Sequence, residues 1–325
     1  VRGTVITLGL SISLLGLACD SDADSERMPL PDEPPTGGKA DQPDALVDCT
    51  GATHRKFDSV WRECRIYGER SALQPGEVVW TIDDGVSAST AAIAESLGVA
   101  DAPATFFPIA SSLVEACGGS RCTSASGRAR MSHIIHPAYE HTVSNHTFSH
   151  PTGLAAMSPY ETRVEVADAH FAIRNAIVDA GGDLARSFYP AFRSPGNSWA
   201  RDRASLLNYD TLAGYRGPFA WDMPSHGEED FRCWSAGKSV RDCALDGYLP
   251  ALFENRKGIV LLHSSPKSAE LTDFLINELR FISRTWAEDG DPSTPCIKFV
   301  PLACALPEDR DSYACGESRQ CVHEL

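Results

Sequence analysis

The stretch "EVVWTIDDGV", Glu77 to Val86, decides how this chain is read. Val78, Val79, Trp80 and Ile82 predict a strand buried on both faces, as in a parallel sheet covered by helices. That strand ends in two adjacent carboxylates, Asp83 and Asp84, followed by Gly85. Ionised carboxylates beside a core are costly unless something compensates them. The compensating groups therefore have to be sought elsewhere in the chain.

Working outward, "STAAIAESLGV" predicts a helix capped by Ser87 or Ser89 and stopped at Gly98, and "ATFFPI" a second buried strand. "RARMSHIIHPAYE" reads as a helix and "HTVSNHT" as a short strand running into a loop. A long helix follows from Pro159 to Gly181-Gly182, then the strand "SFYPAF" and a helical "WARDRASLLNY". "YLPALFENRKG" is helical, "IVLLH" a strand, "SAELTDFLINELRFISRTWAEDG" a long helix and "IKFVPLA" a final strand. Short apolar strands alternating with helices predict an α/β fold with a parallel sheet, in which chemistry gathers at the carboxyl ends of the strands.

At 325 residues, the chain accommodates one large domain with extensions. Its net charge of −15 argues against nucleic acid or an anionic membrane surface as partner. Part of that charge is local: residues 20–48 hold nine acids, two bases and five prolines, with few large apolar side chains. Such a segment predicts a disordered linker. Before it, "VRGTVITLGLSISLLGLAC" has one Arg and an apolar run too short to span a bilayer, as in a secretory signal peptide. Its end resembles a bacterial lipoprotein cleavage site, with Cys19 as the lipidated residue. Removing Cys19 from the 11 cysteines leaves ten, several in close pairs and none in a C-x-x-C spacing, which predicts disulfides in an oxidising compartment. The expected organisation is a signal peptide over 1–19, a linker over 20–48, a catalytic domain over 49–307 and a Cys-containing extension over 308–325.

The residues expected just after each strand form a pattern. They are Asp83 and Asp84, His146 and His150 of "HTFSH", Arg193 of "RSPGNS", Asp222 after "GPFAW", and His263 after "IVLL". Two neutral imidazoles and one carboxylate make a three-ligand site with open positions, the pattern of catalytic zinc. No Glu lies between the two histidines, so a base has to come from elsewhere, and one of the paired aspartates can supply it.

"TIDDG", "HTFSH", "RSPG" and "LLH", in that order, resemble the motifs of the polysaccharide deacetylases with the NodB homology domain, carbohydrate esterase family four. The resemblance runs over about residues 77–303, and His141 matches a recurrent histidine before the metal pair. It implies a distorted (β/α) barrel with a single catalytic domain. It also implies removal of N-acetyl, or O-acetyl, groups from an acetylated polysaccharide such as peptidoglycan or chitin. By the same resemblance Asp83 is the general base, and Asp84, His146 and His150 hold one divalent metal. Zinc is the first expectation, and cobalt, nickel or manganese also suit those donors. Arg193 holds Asp83, Leu261 lines the acetyl pocket, and His263 is the general acid. Asp222 is the expected partner of His263. Pro195 and Gly196 are expected at the substrate, with Trp221 or Trp234 as a sugar platform. The third motif departs from the family, because Gly196 follows Pro195 without the usual aromatic. A monomer is expected, exported to the cell envelope or beyond and tethered only through Cys19. Two further readings stay open on sequence: a catalytically silent carbohydrate-binding protein on the same fold, and a metal-dependent amidase or esterase for a non-glycan substrate.

Overall fold

A computed structural model describes residues 61–325, apart from 69–70, 118–119, 208–211, 213, 292–293 and 317–318. The expected signal peptide, linker and Cys19 lie outside the described residues. Packing divides the chain at residue 52, and everything described belongs to the second unit, 53–325.

The strands are β1 (Trp61–Ile66), β2 (Glu77–Asp84), β3 (Ala104–Pro108), β4 (Val114–Cys117), β5 (Ser120–Thr123), β6 (Thr142–Asn145), β7 (Phe188–Phe192), β8 (Gly217–Phe219), β9 (Gly258–His263) and β10 (Lys298–Phe299). The helices are α1 (Ala88–Val99), α2 (Ala125–Ile134), α3 (Pro159–Asp179), α4 (Leu184–Ser187), α5 (Arg203–Leu206), α6 (Asp230–Ser235), α7 (Val240–Cys243), α8 (Leu249–Asn255) and α9 (Pro266–Asp289). β2 is the central strand. It pairs in parallel with β9 on one edge and with β3 on the other, and β3 continues through β6 to β7. β10 meets β2 only at Glu77 and Val78, before the β3 pairing begins.

The ring closes irregularly. Parallel bridges join Ala191 of β7 to Arg216, and Met223 to Val260 of β9. The segment 216–223, which includes β8, thus spans the gap between β7 and β9, and β1 pairs alongside β8. The result is a distorted α/β barrel. Strand alternation sorts its two cores. Val78, Trp80 and Ile82 pack outward under the helices, whereas Val79, Phe107, Tyr189, Ala191, Phe219 and Ile259 fill the interior. The same parity carries Thr81 and Asp83 inward on β2, and Leu261 and His263 inward on β9.

Helix signals in the sequence match the caps. Ser87 and Thr90 form a capping box that starts α1, and Ser158 and Glu161 form another at α3, with Pro159 at its first position. Gly98 does not stop α1, which runs on to Val99. A side chain there would meet the Tyr139 ring at 2.2 Å, so Gly98 answers a packing demand rather than a turn. α2 ends at Ile134, short of the predicted "IHPAYE", Ile135 to Glu140, because Pro137 cannot continue it. Among the described residues of "WARDRASLLNY", only Arg203–Leu206 is helical. β1 and the antiparallel hairpin β4–β5 have no counterpart in the sequence reading.

The C-terminal residues seal the end of the barrel opposite the strand carboxyl ends. Arg310 makes two 2.8 Å bonds to Glu77, a carboxylate 1% exposed at the start of β2. Asp309 accepts from the Arg216 guanidinium and, at 2.7 Å, from the Tyr189 hydroxyl. Disulfides Cys296–Cys321 and Cys304–Cys315 tie this segment down, and Cys233–Cys243 joins α6 to α7.

Candidate active site

The carboxyl end of β2 delivers Asp83 inward and Asp84 to the rim. Asp83 lies against a buried cation: Arg193 Nη1 donates to Asp83 Oδ1 at 2.8 Å and to Thr81 Oγ1 at 2.7 Å. The guanidinium also donates to the carbonyls of Phe219 and Ala220, and stacks 4.7 Å above the Phe107 ring. Arg193 is 0% exposed, so its charge has been taken wholly out of water and depends on these partners. Burial alone would raise the Asp83 carboxyl. Arg193, with smaller help from His263, outweighs it and holds the group below the ordinary carboxylate range.

Asp84, His146 and His150 converge at the rim. Asp84 Oδ1 lies 3.3 Å from His150 Nε2 and 3.7 Å from His146 Nε2, and the three donor atoms lie within 4.8 Å of one another. His146 Nδ1 meets the Arg193 carbonyl at 2.8 Å, which puts the proton on Nδ1 and turns the Nε2 lone pair toward Asp84. Burial lowers the His146 pKa despite Asp83 and Asp84 beside it, so the ring is neutral. Asp84 Oδ1 is buried and has no hydrogen-bond donor among the described residues. An orphaned carboxylate oxygen facing imidazole lone pairs is an electron-rich arrangement that only a cation satisfies. These residues fit one divalent metal.

The backbone is strained at the same atoms. Asp84, Thr147 and His150 are non-glycine residues with φ of 78°, 70° and 63°. Each such conformation costs about 1–3 kcal/mol and persists only where its surroundings enforce it. The histidines therefore come from a tight loop rather than a helix face. Asn145 Oδ1 accepts from Thr147 N, and its Nδ2 donates to the Val166 carbonyl and the Tyr215 hydroxyl. Asn145-His146-Thr147 matches a glycosylation sequon, but Asn145 is 0% exposed and so closed to glycan attachment. His141 bridges Ala104 N and the Ala94 carbonyl, and burial pushes it down to about 4, which makes it a neutral structural strut.

His263, register partner of Asp83 across β2 and β9, completes the site. Its orienting carboxylate is Asp230, not Asp222. Asp230 Oδ1 accepts from His263 Nδ1 at 2.6 Å and Oδ2 from the His263 amide at 2.9 Å. Phe231 N and Ser268 Oγ complete the carboxylate's bonds. Asp222 instead accepts from Gly68 N and Ile259 N, at the start of β9, four residues before His263. The segment 216–223 turns across the barrel as it closes the ring, and this carries Asp222 away from the strand carboxyl ends. Asp230 was hidden in the acidic run "EED", where no spacing rule separates it from Glu228 and Glu229. Burial lowers the His263 pKa, but the Asp230 bond and charge, with Asp83 and Asp84, raise it to about 9.

The remaining predicted residues scatter around this centre. Leu261 is buried one layer below His263, with its carbonyl on the Tyr248 hydroxyl. Pro195 is buried, and Gly196 is exposed at a φ of 56° beside Thr152, just past the histidine loop. Trp221 is half-buried next to Ala220, whose carbonyl accepts from Arg193. Trp234 packs against α9 through Ser268 and Lys267. An exposed aromatic at the site is Phe231, missed by sequence reasoning, whose ring centroid lies 5.0 Å from that of His263 in an edge-to-face pair.

Residues 70–214, which carry Asp83, Asp84, His146, His150 and Arg193, match the polysaccharide deacetylase family. The family model covers this part of the chain, 145 of its 325 residues. No curated protein matches it significantly in sequence. Among solved structures it is similar to a mutant, with restored enzymatic activity, of a CE4 family pseudoenzyme from Bacillus anthracis. Identity is 20%, coverage 64% of each chain, and the TM-score 0.46. It is also similar to a family 4 carbohydrate esterase from Streptomyces lividans in complex with acetate (18% identity, 69% of this chain and 93% of that one, TM-score 0.46). A third is the peptidoglycan deacetylase PdaC from Bacillus subtilis (19%, 63% and 84%, TM-score 0.44). The alignment thus spans less than two thirds of the pseudoenzyme's own length.

Proposed function

We propose that this protein is a polysaccharide deacetylase of that family, a metal-dependent enzyme that hydrolyses N-acetyl, or O-acetyl, groups on a polysaccharide such as peptidoglycan or chitin. One observation carries the reading. At one end of the barrel the Asp84–His146–His150 donor set, with Asp84 Oδ1 orphaned, lies beside a buried Asp83–Arg193 pair, and Asp83 is the register partner of His263, which is paired with Asp230. Asp84, His146 and His150 would hold a divalent ion, which when bound would supply Lewis acidity to the acyl carbonyl and to a water.

The protein residues handle the protons. Asp83, held ionised by Arg193, accepts the proton of the attacking water at its free Oδ2 side, since Oδ1 is taken by the guanidinium. His263 donates through Nε2 to the leaving amine, because Nδ1 is committed to Asp230. Its pKa of about 9 keeps it protonated at neutral pH, as an acid must be. Base and acid thus keep opposite protonation states although they are neighbours on paired strands. Acetate and a free amino sugar, or a hydroxyl, are the products. Phe231 offers a ring face for the sugar beside the acid. Zinc is the proposed ion. Export, with a lipid on Cys19, is part of the proposal and is supported by three disulfides among the described residues.

The test is acetate release from acetylated chito-oligomers and from peptidoglycan, with and without chelator. Chelator-sensitive release is expected, and Asp83→Asn should keep the metal while losing about 100-fold or more in rate. Glycan binding without acetate release would make the protein a silent sugar-binding relative. Absence of both binding and release across acetylated glycans would end the polysaccharide reading.

A further inference from the structure

The histidine loop is held by a residue outside every motif. Glu165, on α3, reaches the loop between the two imidazoles. Its Oε2 accepts from Phe148 N at 3.0 Å and Ser149 N at 2.8 Å, and its Oε1 from Ser149 Oγ at 2.7 Å. Phe148 and Ser149 are the central residues of the span that separates His146 from His150. They lie between the two left-handed residues Thr147 and His150, where the backbone has least intrinsic reason to stay. A carboxylate accepting from two successive amides and a hydroxyl is a charge-assisted clamp.

The same helix grips the loop a second time. Asp168, one turn beyond Glu165, pairs with Arg121 of β5 at 3.0 Å, and the Arg121 guanidinium lies 4.0 Å over the Phe148 ring. Asn145 reaches the Val166 carbonyl between them. α3 thus fixes the loop from below, and the hairpin fixes it from above.

We propose that Glu165 is a positioning residue for the metal centre: it holds the 146–150 loop in its strained form and so sets the affinity of the site for a divalent ion. The proposal rests on the metal reading given above. Groups hydrogen-bonded directly to metal ligands are worth about 10- to 100-fold in metal affinity, and Glu165, which acts on the ligands through the loop backbone between them, is expected to act on that scale.

The test uses the protein stripped of metal and titrated with Zn2+ against a chromophoric chelator, and with Co2+ followed by its visible absorption. Glu165→Ala should weaken Zn2+ binding by about 10- to 100-fold and change the Co2+ band shape. Glu165→Gln, which keeps an oxygen for the two amides, should recover most of the affinity. Thermal melts of the stripped proteins check that each variant folds. Glu165→Asp, which keeps the charge but draws the oxygens back, should weaken binding and serves if the alanine variant does not fold. Wild-type Zn2+ affinity and Co2+ spectrum in the Ala and Asp variants would overturn the role of Glu165 alone. A wild-type protein that takes up neither ion would overturn the metal reading itself.

Discussion

Asp230→Asn separates the fold's contribution to catalysis from the motif's. In the native protein burial depresses His263, and Asp230 more than reverses this, lifting the imidazole from its ordinary 6.5 to about 9. Asparagine is nearly the same shape and leaves the Cys233–Cys243 link and the start of α6 in place. It removes the charge. The remaining carboxylates, Asp83 and Asp84, contribute less than Asp230, so burial prevails and His263 should titrate below 6.5. At pH 7.5 the protonated fraction then falls from nearly all molecules to about a tenth or less. The alkaline limb of kcat/KM for acetate release should therefore move from about 9 to below 6.5. The acid limb, set by Asp83, should stay where it is. Stability follows the same linkage. A raised histidine pKa stabilises the fold fully below the unfolded value of 6.5, and that contribution is lost as pH rises through about 9. The difference corresponds to about 3 kcal/mol at neutral pH, and a urea titration of both proteins measures it. An imidazole NMR titration of His263 supplies the same value without turnover. A variant whose alkaline limb and His263 resonance both still titrate near 9 would refute the reasoning.

Other outcomes follow from the same geometry. Arg193→Met should leave Asp83 buried without its counter-charge and cost about 3–5 kcal/mol in a denaturant titration. Burial should then raise the Asp83 carboxyl and move the acid limb of any residual activity to higher pH. Arg310→Ala should cost about 3 kcal/mol by the same kind of titration, because Glu77 is 1% exposed and loses both its guanidinium bonds. Turnover per folded molecule should not change, since that pair lies at the far end of the barrel. Gly98→Ala, stabilising in an ordinary helix, should here destabilise by about 1–2 kcal/mol and lower Tm, because the methyl meets the Tyr139 ring.

Much of the site was legible because its residues are held by local rules. A buried strand ending in Asp83 and Asp84, a four-residue histidine spacing and a strand ending at His263 are short-range patterns, and strand ends of an α/β fold converge wherever the chain goes between them. α1 announced itself through its Ser cap and α3 through Pro159 at its start, whereas the Ser158 and Ser265 caps of α3 and α9 came from the structure. What was misread has a common cause. Asp222 follows a strand in sequence, as the motif logic asks, but that strand belongs to the irregular segment that closes the barrel. Its position depends on bridges to β7 and β9 rather than on its own residues.

The sequence by itself determined the class of fold and pointed to the residues that the fold gathers at the strand ends, because hydrophobic periodicity and motif order survive without coordinates. Only the tertiary structure decided that Asp230 rather than Asp222 serves His263, and that Arg193 binds Asp83 while its carbonyl orients His146. Only it showed that Asp84, Thr147 and His150 are left-handed. The physical reason is range: charge compensation inside a barrel joins groups tens of residues or more apart, and no local pattern records which carboxylate the closed ring brings within hydrogen-bond reach.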